Sequence, residues 1–380
     1  MNFDPSVHTL QDVCNVINSS FPDSSAPGVN MLKASIQDGK LLIESNPASN
    51  VKFAMGVDST GLMAALGINS FFTGDNASNM AVNSQPRDGR GRCLQLGFCF
   101  QGCKSGAKWS TLYTELPAAD ATGNFELRTE AHVTRIEHNA AGRVNGVVYM
   151  DKDGKEQRQK ARIVCVAGNA IETPRLLLLS ASNMFKDGLA NSSGQVGRNY
   201  MRHMTGSVYG IFDKPVRMWR GTVMAGIIQD EARHDPSRGF VGGYEMETLS
   251  LGIPFMAAFM DPGGWGREFT TALDAYENMA GMWLVGEDMP QETNRVTLNH
   301  EVKDRWGLPV ANVNFDDHPN DIAMRKHAYQ QGIAIYEAVG ATRVLPTPPY
   351  PSTHNMGTNR MSENPRDGVV NKWGQSHDIT

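Results

Sequence analysis

An α/β chain with a large antiparallel insertion is the fold class this sequence predicts, and three observations predict it. Ile163-Val164-Cys165-Val166-Ala167 is a short run apolar on both faces, closed by Gly168 and followed by a helical pattern, as a central parallel strand feeding a helix requires. Between residues 205 and 300, many short strand-like pieces alternate with Gly, Pro and Asp, the pattern of an antiparallel sheet. Finally, Ile322, Tyr329, Ile333 and Tyr336 step at helical spacing within Asn320–Val339, with Gly340 as the stop.

In chain order, residues 1–75 are rich in Ser, Asn, Asp and Gly, and only Leu41-Leu42-Ile43 and Leu62–Leu66 break the polar texture. Loops around one or two short elements are expected there. Leu127, Thr129, Ala131 and Val133 alternate with polar residues and read as a strand. Val144–Tyr149, the turn Asp151-Lys152-Asp153-Gly154 and a polar return through Gln157 and Gln159 make a hairpin. After Ile163–Ala167, Thr173 is placed to cap a helix that starts at Pro174 and runs to Ser180. The strand pieces that follow are Ser207–Phe212, Val223–Ile228, Phe240–Tyr244, Met282–Val285 and Arg295–Leu298, with a hairpin turn around Lys303–Gly307. Beyond Pro346-Thr347-Pro348-Pro349 the chain reads as loops. The expected division is residues 1–75, a cofactor layer at 76–200, a substrate layer at 201–345, and a return to the cofactor layer at 346–380.

Composition narrows the class of function. Thirty-five basic residues against forty acidic ones give a formal net charge of −5, which argues against a nucleic-acid-binding surface. With 40% hydrophobic and 20% charged residues the chain is globular. No apolar run approaches the length of a membrane span, and Met1-Asn2-Phe3-Asp4-Pro5 has no signal-peptide character, so the sequence leaves cytoplasmic and periplasmic locations both open. Five cysteines are too few for a disulfide framework. Cys165, inside its apolar run, is expected as a buried thiol. Cys93, Cys99 and Cys103 fall within eleven residues on a glycine-punctuated stretch. Three thiolates so placed suit an iron–sulfur cluster or zinc, while a disulfide or free thiols are the competing reading. The methionines Met201, Met204, Met256 and Met260 read as adaptable core filler, and Trp265 either floors a sugar site or packs.

Three ordered segments resemble one family. Gly168-Asn169-Ala170-Ile171-Glu172-Thr173-Pro174-Arg175-Leu176-Leu177-Leu178-Leu179-Ser180 resembles the second signature of the glucose–methanol–choline (GMC) oxidoreductases. Gly194-Gln195-Val196-Gly197-Arg198-Asn199-Tyr200-Met201-Arg202-His203 resembles the family's exit from flavin domain to substrate domain. His354-Asn355-Met356-Gly357-Thr358-Asn359-Arg360-Met361, followed by Asp367-Gly368-Val369-Val370-Asn371, resembles the family's His-x-x-Gly-Thr-x-Arg-Met segment. The branch most resembled is that of sugar and sugar-acid dehydrogenase large subunits.

What the resemblance implies is an incomplete Rossmann-like FAD-binding domain joined to an antiparallel substrate domain. The implied enzyme oxidises an alcohol or sugar, with a small subunit or other electron acceptor as partner. His354 takes the position of a base that accepts the hydroxyl proton, a task suited to a neutral imidazole. Val133 takes the place where backbone meets the adenine of FAD. Ala167, Gly168, Asn355, Gly357 and Thr358 would line the same cofactor, and some relatives carry an iron–sulfur cluster, for which the cysteine trio is the candidate. His203, His318 and His377 are read as surface or structural histidines. The sequence has no Gly-x-Gly-x-x-Gly unit for the FAD pyrophosphate, and the family pattern continues past Thr380. The resemblance therefore implies a chain truncated at both ends that holds FAD weakly or not at all. A flavin-free remnant acting as a binding scaffold, and a metal-binding module on the cysteine trio, are the alternatives.

Overall fold

The computed structural model describes residues 9–22, 28–37, 40–46, 72–73, 81–82, 90–252, 256–257, 260, 264–350 and 352–379. Leu62–Leu66 lies outside them. The chain divides into two units, one of Met1–Cys93 with Lys104–Glu115, the other of Leu94–Cys103 with Leu116–Thr380.

In the first unit, helix α1 (Leu10–Ser20) begins with a capping box in which Thr9 and Asp12 exchange hydrogen bonds. It is followed by the antiparallel pair β1 (Leu32–Gln37) and β2 (Lys40–Ser45), with two-residue strands β3 (Phe72–Thr73) and β4 (Ala81–Val82) paired further on. The predicted Leu41–Ile43 element is thus the centre of β2.

The short helix α2 (Glu115–Asp120) lies at the boundary, and the second unit carries the elements that follow it. Its three-stranded sheet runs β5 (His132–His138), β6 (Val144–Met150) and β7 (Glu156–Lys160), all antiparallel. The hairpin predicted at Asp151–Gly154 is present: the Asp151 carboxylate accepts from the Asp153 and Lys155 backbone, and Gly154 has a φ of 77° that only glycine adopts without strain. The preceding strand starts later than the alternation suggests. Leu127 is 60% exposed, and the β conformation begins only at His132.

The largest correction concerns Ile163–Ala167. These residues form no ladder, and Ile163 is 76% exposed. Cys165, expected as a buried thiol, is exposed too. Val164 and Val166 do pack, against a core of Ile136, Leu177, Leu189 and Val196. The run therefore buries one side only, and local apolarity on both faces overstated its burial. Among the described residues there is no parallel sheet; the Rossmann-like part of the expectation is represented by this extended segment and by helix α3 (Asn169–Leu179) behind it.

Helix α3 starts five residues before the predicted Pro174. Asn169 Oδ1 accepts from the backbone N–H groups of Ile171 and Glu172, and Thr173 Oγ1 accepts from Gly168. Thr173 thus braces the helix start from inside, and Pro174 lies within the second turn.

The main sheet has five antiparallel strands in the order β14 (Arg343–Pro346), β8 (Met204–Ile211), β11 (Met279–Gly286), β10 (Tyr244–Leu249) and β9 (Ile227–Ile228). Helix α4 (Gly266–Asp274) precedes β11. β12 (Arg295–Lys303) and β13 (Pro309–Asn314) form a separate hairpin, although the sequence grouped Arg295–Leu298 with the insertion. Of the predicted Val223–Ile228 strand only the last two residues are extended and paired, while Phe240 precedes β10 instead of opening it. Helix α5 (Pro319–Ala338) matches the prediction within a residue at each end. Its start is capped by an imidazole, His318 Nδ1 accepting from Asn320 N at 3.0 Å. The buried stripe is Asp321, Met324, Ala328, Gly332 and Tyr336, so Ile322, half exposed, faces away from the sheet.

Candidate active site

Side chains on a strand alternate between faces, and the five-stranded sheet uses that alternation to make two unlike surfaces. Met204 and Val208 of β8, Met282 and Leu284 of β11, and Tyr244 and Met246 of β10 meet Met324, Ala328 and Tyr336 of α5 in a closed apolar core. The residues between them face the other way. Ser207 of β8, Trp283 of β11 and Glu247 of β10 are aligned across three strands by the register pairs Trp283–Ser207 and Glu247–Trp283. Thr205, Val285 and Glu245 form the next row toward the strand ends. One end of this face is closed by Tyr209, Leu249, Met256, Met260 and Met279, with Cys99 beside them. The other end is only half buried.

Glu247 is the unusual member. No hydrogen bond or ion pair among the described residues reaches its carboxylate, and burial, with Glu245 two residues away, pushes its pKa up. Phe100 packs on Trp283 at 5.4 Å between ring centroids. Ser207 Oγ and the Tyr350 hydroxyl are 2.7 Å apart, and Thr205 Oγ1 donates to the Tyr350 carbonyl at 2.6 Å.

From β14 the chain continues along the edge of β8, and this route delivers His354. Thr347 N donates to Ser207 O, and Met356 pairs with Met201 through two backbone hydrogen bonds of 2.9 and 3.0 Å. His354 lies between these anchor points, with its N–H donated to Ser352 Oγ. Its ring stands edge-on to His203, with centroids 5.2 Å apart and planes at 84°. Burial first, and the neighbouring His203 second, hold the His354 imidazole below its ordinary pKa. It is therefore neutral at pH 7 and able to take a proton. Close by, Asp288 Oδ2 accepts from Arg202 N at 2.7 Å. Burial raises the Asp288 carboxyl to about 6 against that hydrogen bond.

The remaining predicted residues fall in two places. Asn355, Gly357 and Thr358 share the His354 segment. The Tyr200 hydroxyl donates to Asn355 Oδ1. Gly357, at φ 82°, lies so close to the Asn199 carbonyl oxygen that a Cβ would overlap it. Thr358 is fully buried, and its N–H donates to Arg198 O while its carbonyl accepts from Gly197 N. Val133, Ala167 and Gly168 lie elsewhere, beside the three-stranded sheet. β5 is an edge strand there, so alternate backbone groups around Val133 point away from β6. Ala167 is exposed at the mouth of α3. A backbone edge and an exposed small residue fit the rim of an adenine-bearing cofactor.

The expectation of an iron–sulfur cluster or zinc on Cys93, Cys99 and Cys103 finds no support. Among the described residues no three His, Cys, Asp or Glu side chains gather into a metal-binding group. No disulfide forms among the described cysteines, so of the competing reading only the disulfide half is unmet. Trp265 is 89% exposed, which removes a packing role for it. His377, read as surface or structural, is structural, its Nε2 lying 2.9 Å from Ser362 O. The sequence reading passed over Asp288 and Glu247 and left His203 among the surface or structural histidines. A period-two reading of β8, β10 and β11 together would have put Glu247 and Ser207 on one face, but their pairing partners are unknown before the sheet is assembled.

Two sequence profiles described as GMC oxidoreductase match this chain, an N-terminal one over residues 43–205 and a C-terminal one over residues 290–380. A 2-methyl-1,2-propanediol dehydrogenase of Mycolicibacterium austroafricanum is 36% identical over 314 residues, covering 80% of this chain and 56% of that protein. The fructose dehydrogenase large subunit of Gluconobacter japonicus is 30% identical over 311 residues, 78% of this chain and 55% of its own. A gluconate 2-dehydrogenase flavoprotein of Pantoea cypripedii is 29% identical, over 76% of this chain and 50% of its own. The chain thus spans about half the length of the curated relatives it matches. A crystal structure of formate oxidase superposes with a TM-score of 0.47 at 17% identity, over 66% of this chain and 54% of that one. No helix among the described residues is long and apolar enough to cross a membrane.

Proposed function

The chain belongs to the GMC oxidoreductase family, and from that footing we propose that it supplies the substrate-side residues of an FAD-dependent enzyme that oxidises a CH–OH group. The observation that carries this reading is His354: a part-exposed imidazole whose pKa is lowered by partial burial and by His203, held between two backbone anchors. In this role His354 accepts the hydroxyl proton of the substrate. FAD, when bound, supplies the acceptor for the carbinol hydride. The outward backbone edge at Val133 and the exposed Ala167 with Gly168 would hold its adenosine end. Asn355, Gly357 and Thr358 would serve the cofactor by fixing the backbone that carries His354.

The substrate reading follows from the open sheet face. Trp283 offers an apolar surface for the carbon face of a polyol, and Glu247 offers a hydroxyl partner. With Glu245 and Glu247 on one face and no basic partner for Glu247 among the described residues, an anionic sugar acid is disfavoured and a neutral diol or sugar is favoured. A separate electron-accepting subunit is carried over from the fructose dehydrogenase relative, whose name marks it as a large subunit.

The test is to supply the protein with FAD and follow bleaching of the flavin band anaerobically with 1,2-diols, fructose and gluconate. Reduction by neutral substrates with little by gluconate is the expected result. No flavin uptake and no reduction would overturn the reading in favour of a flavin-free binding scaffold.

A further inference from the structure

Beside His354 stands a second imidazole that the proposed chemistry leaves unused. His203 Nδ1 lies 3.2 Å from the Gly286 carbonyl oxygen. A carbonyl can only accept, so Nδ1 carries the hydrogen and the lone pair of the neutral ring is on Nε2. The Gly286 carbonyl is itself well fixed. It ends β11 opposite Met204, and a Cβ at that position would press on the Met204 and Met324 side chains. His354 is fixed from the other side by the Met201–Met356 bridge. Both rings are therefore carried on packed backbone, which is how a site keeps its geometry.

We propose that His203 is a positioning residue for His354: anchored to Gly286, it sets the orientation of the His354 ring and, by refusing a second positive charge at 5.2 Å, keeps that ring in its proton-accepting form. Two imidazolium rings at this separation repel, which disfavours the charged form of His354. The other titratable and charged groups around this corner are Asp288 after β11, Arg202 before β8, and Asp317 and Asp321 at the start of α5. Arg202 stacks on Phe315, its guanidinium carbon 4.0 Å from the ring centroid. His203 matters to catalysis only if His354 is the base, but the coupling between the rings stands or falls independently of that.

The experiment is an NMR titration of the protein with 13Cε1-labelled histidine, which needs neither FAD nor substrate. In the unaltered chain the His354 midpoint is expected below the ordinary imidazole value. His203→Asn keeps a side-chain N–H for the Gly286 carbonyl but removes the second ring, and it should raise the His354 midpoint by about 0.5 unit or more. His203→Gln carries the same expectation and serves if His203→Asn does not fold. A His354 midpoint that stays in place in a folded variant overturns the proposal. A coupled pair without alcohol-dependent flavin reduction would sink the base assignment alone.

Discussion

The two faces of the five-stranded sheet are built from the same strands and have opposite characters. The face under α5 is closed and almost wholly apolar, with Met204, Val208, Met246, Leu284 and Met324 all below 5% exposed. The face on the other side mixes Thr205, Ser207, Trp283, Glu245 and Glu247 and is half open. The first face is core along its length, whereas the second is core only around Tyr209, Leu249 and Met279 and at its other end retains an ionisable group that a core would have excluded. One residue of shift along any strand exchanges the two roles. Chemistry and stability here are therefore separate sets of residues that are interleaved in sequence.

That separation can be tested from both sides. Met324→Ala opens a cavity in the closed face and should cost about 2–4 kcal/mol, read as a lower urea midpoint. Gly357→Ala should be comparably damaging, at about 2–4 kcal/mol, because the added methyl meets the Asn199 carbonyl oxygen at a positive φ.

Asp288→Asn should act in the opposite direction above pH 6. A carboxyl raised to about 6 from 3.8 binds more protons folded than unfolded between those values. Its contribution is therefore fully present below pH 3.8 and lost as pH rises through 6. The asparagine variant should be more stable than the parent by about 1–2 kcal/mol at pH 7.5, after allowing for partial solvent screening, and equal to it near pH 4. His354, with a depressed folded pKa, gives the reverse slope: its contribution is present above the unfolded value of 6.5 and lost as pH falls through the folded one.

Glu247→Gln should change stability least, by about 0.5 kcal/mol or less and in the stabilising direction, since it removes an unpaired half-buried charge. Its effect should fall on selectivity, with discrimination between a neutral sugar and the corresponding sugar acid reduced several-fold.

Legibility followed the same division. The Asp151–Gly154 hairpin, α5 and the strands around Ser207 and Met282 were readable because turn chemistry and periodicity are local properties. Ile163–Ala167 was misread because its apolarity reports what the segment could bury, and pairing depends on strands elsewhere. The start of α3 was missed because Asn169, at φ 64°, caps from a conformation that the sequence does not announce. His354 was found through its motif, whereas His203 and Glu247 became visible only when β8, β10 and β11 were side by side. Asp288 needed the burial that the folded chain imposes.

The most direct measurement is anaerobic reduction of bound flavin by a neutral 1,2-diol, followed against pH in the parent protein and in His354→Gln. With His354 as the base, the parent rate should fall as pH drops below the His354 midpoint, and His354→Gln should be slower by about 100-fold or more with no such limb. Equal rates and the same pH profile in the two proteins would contradict the assignment of His354.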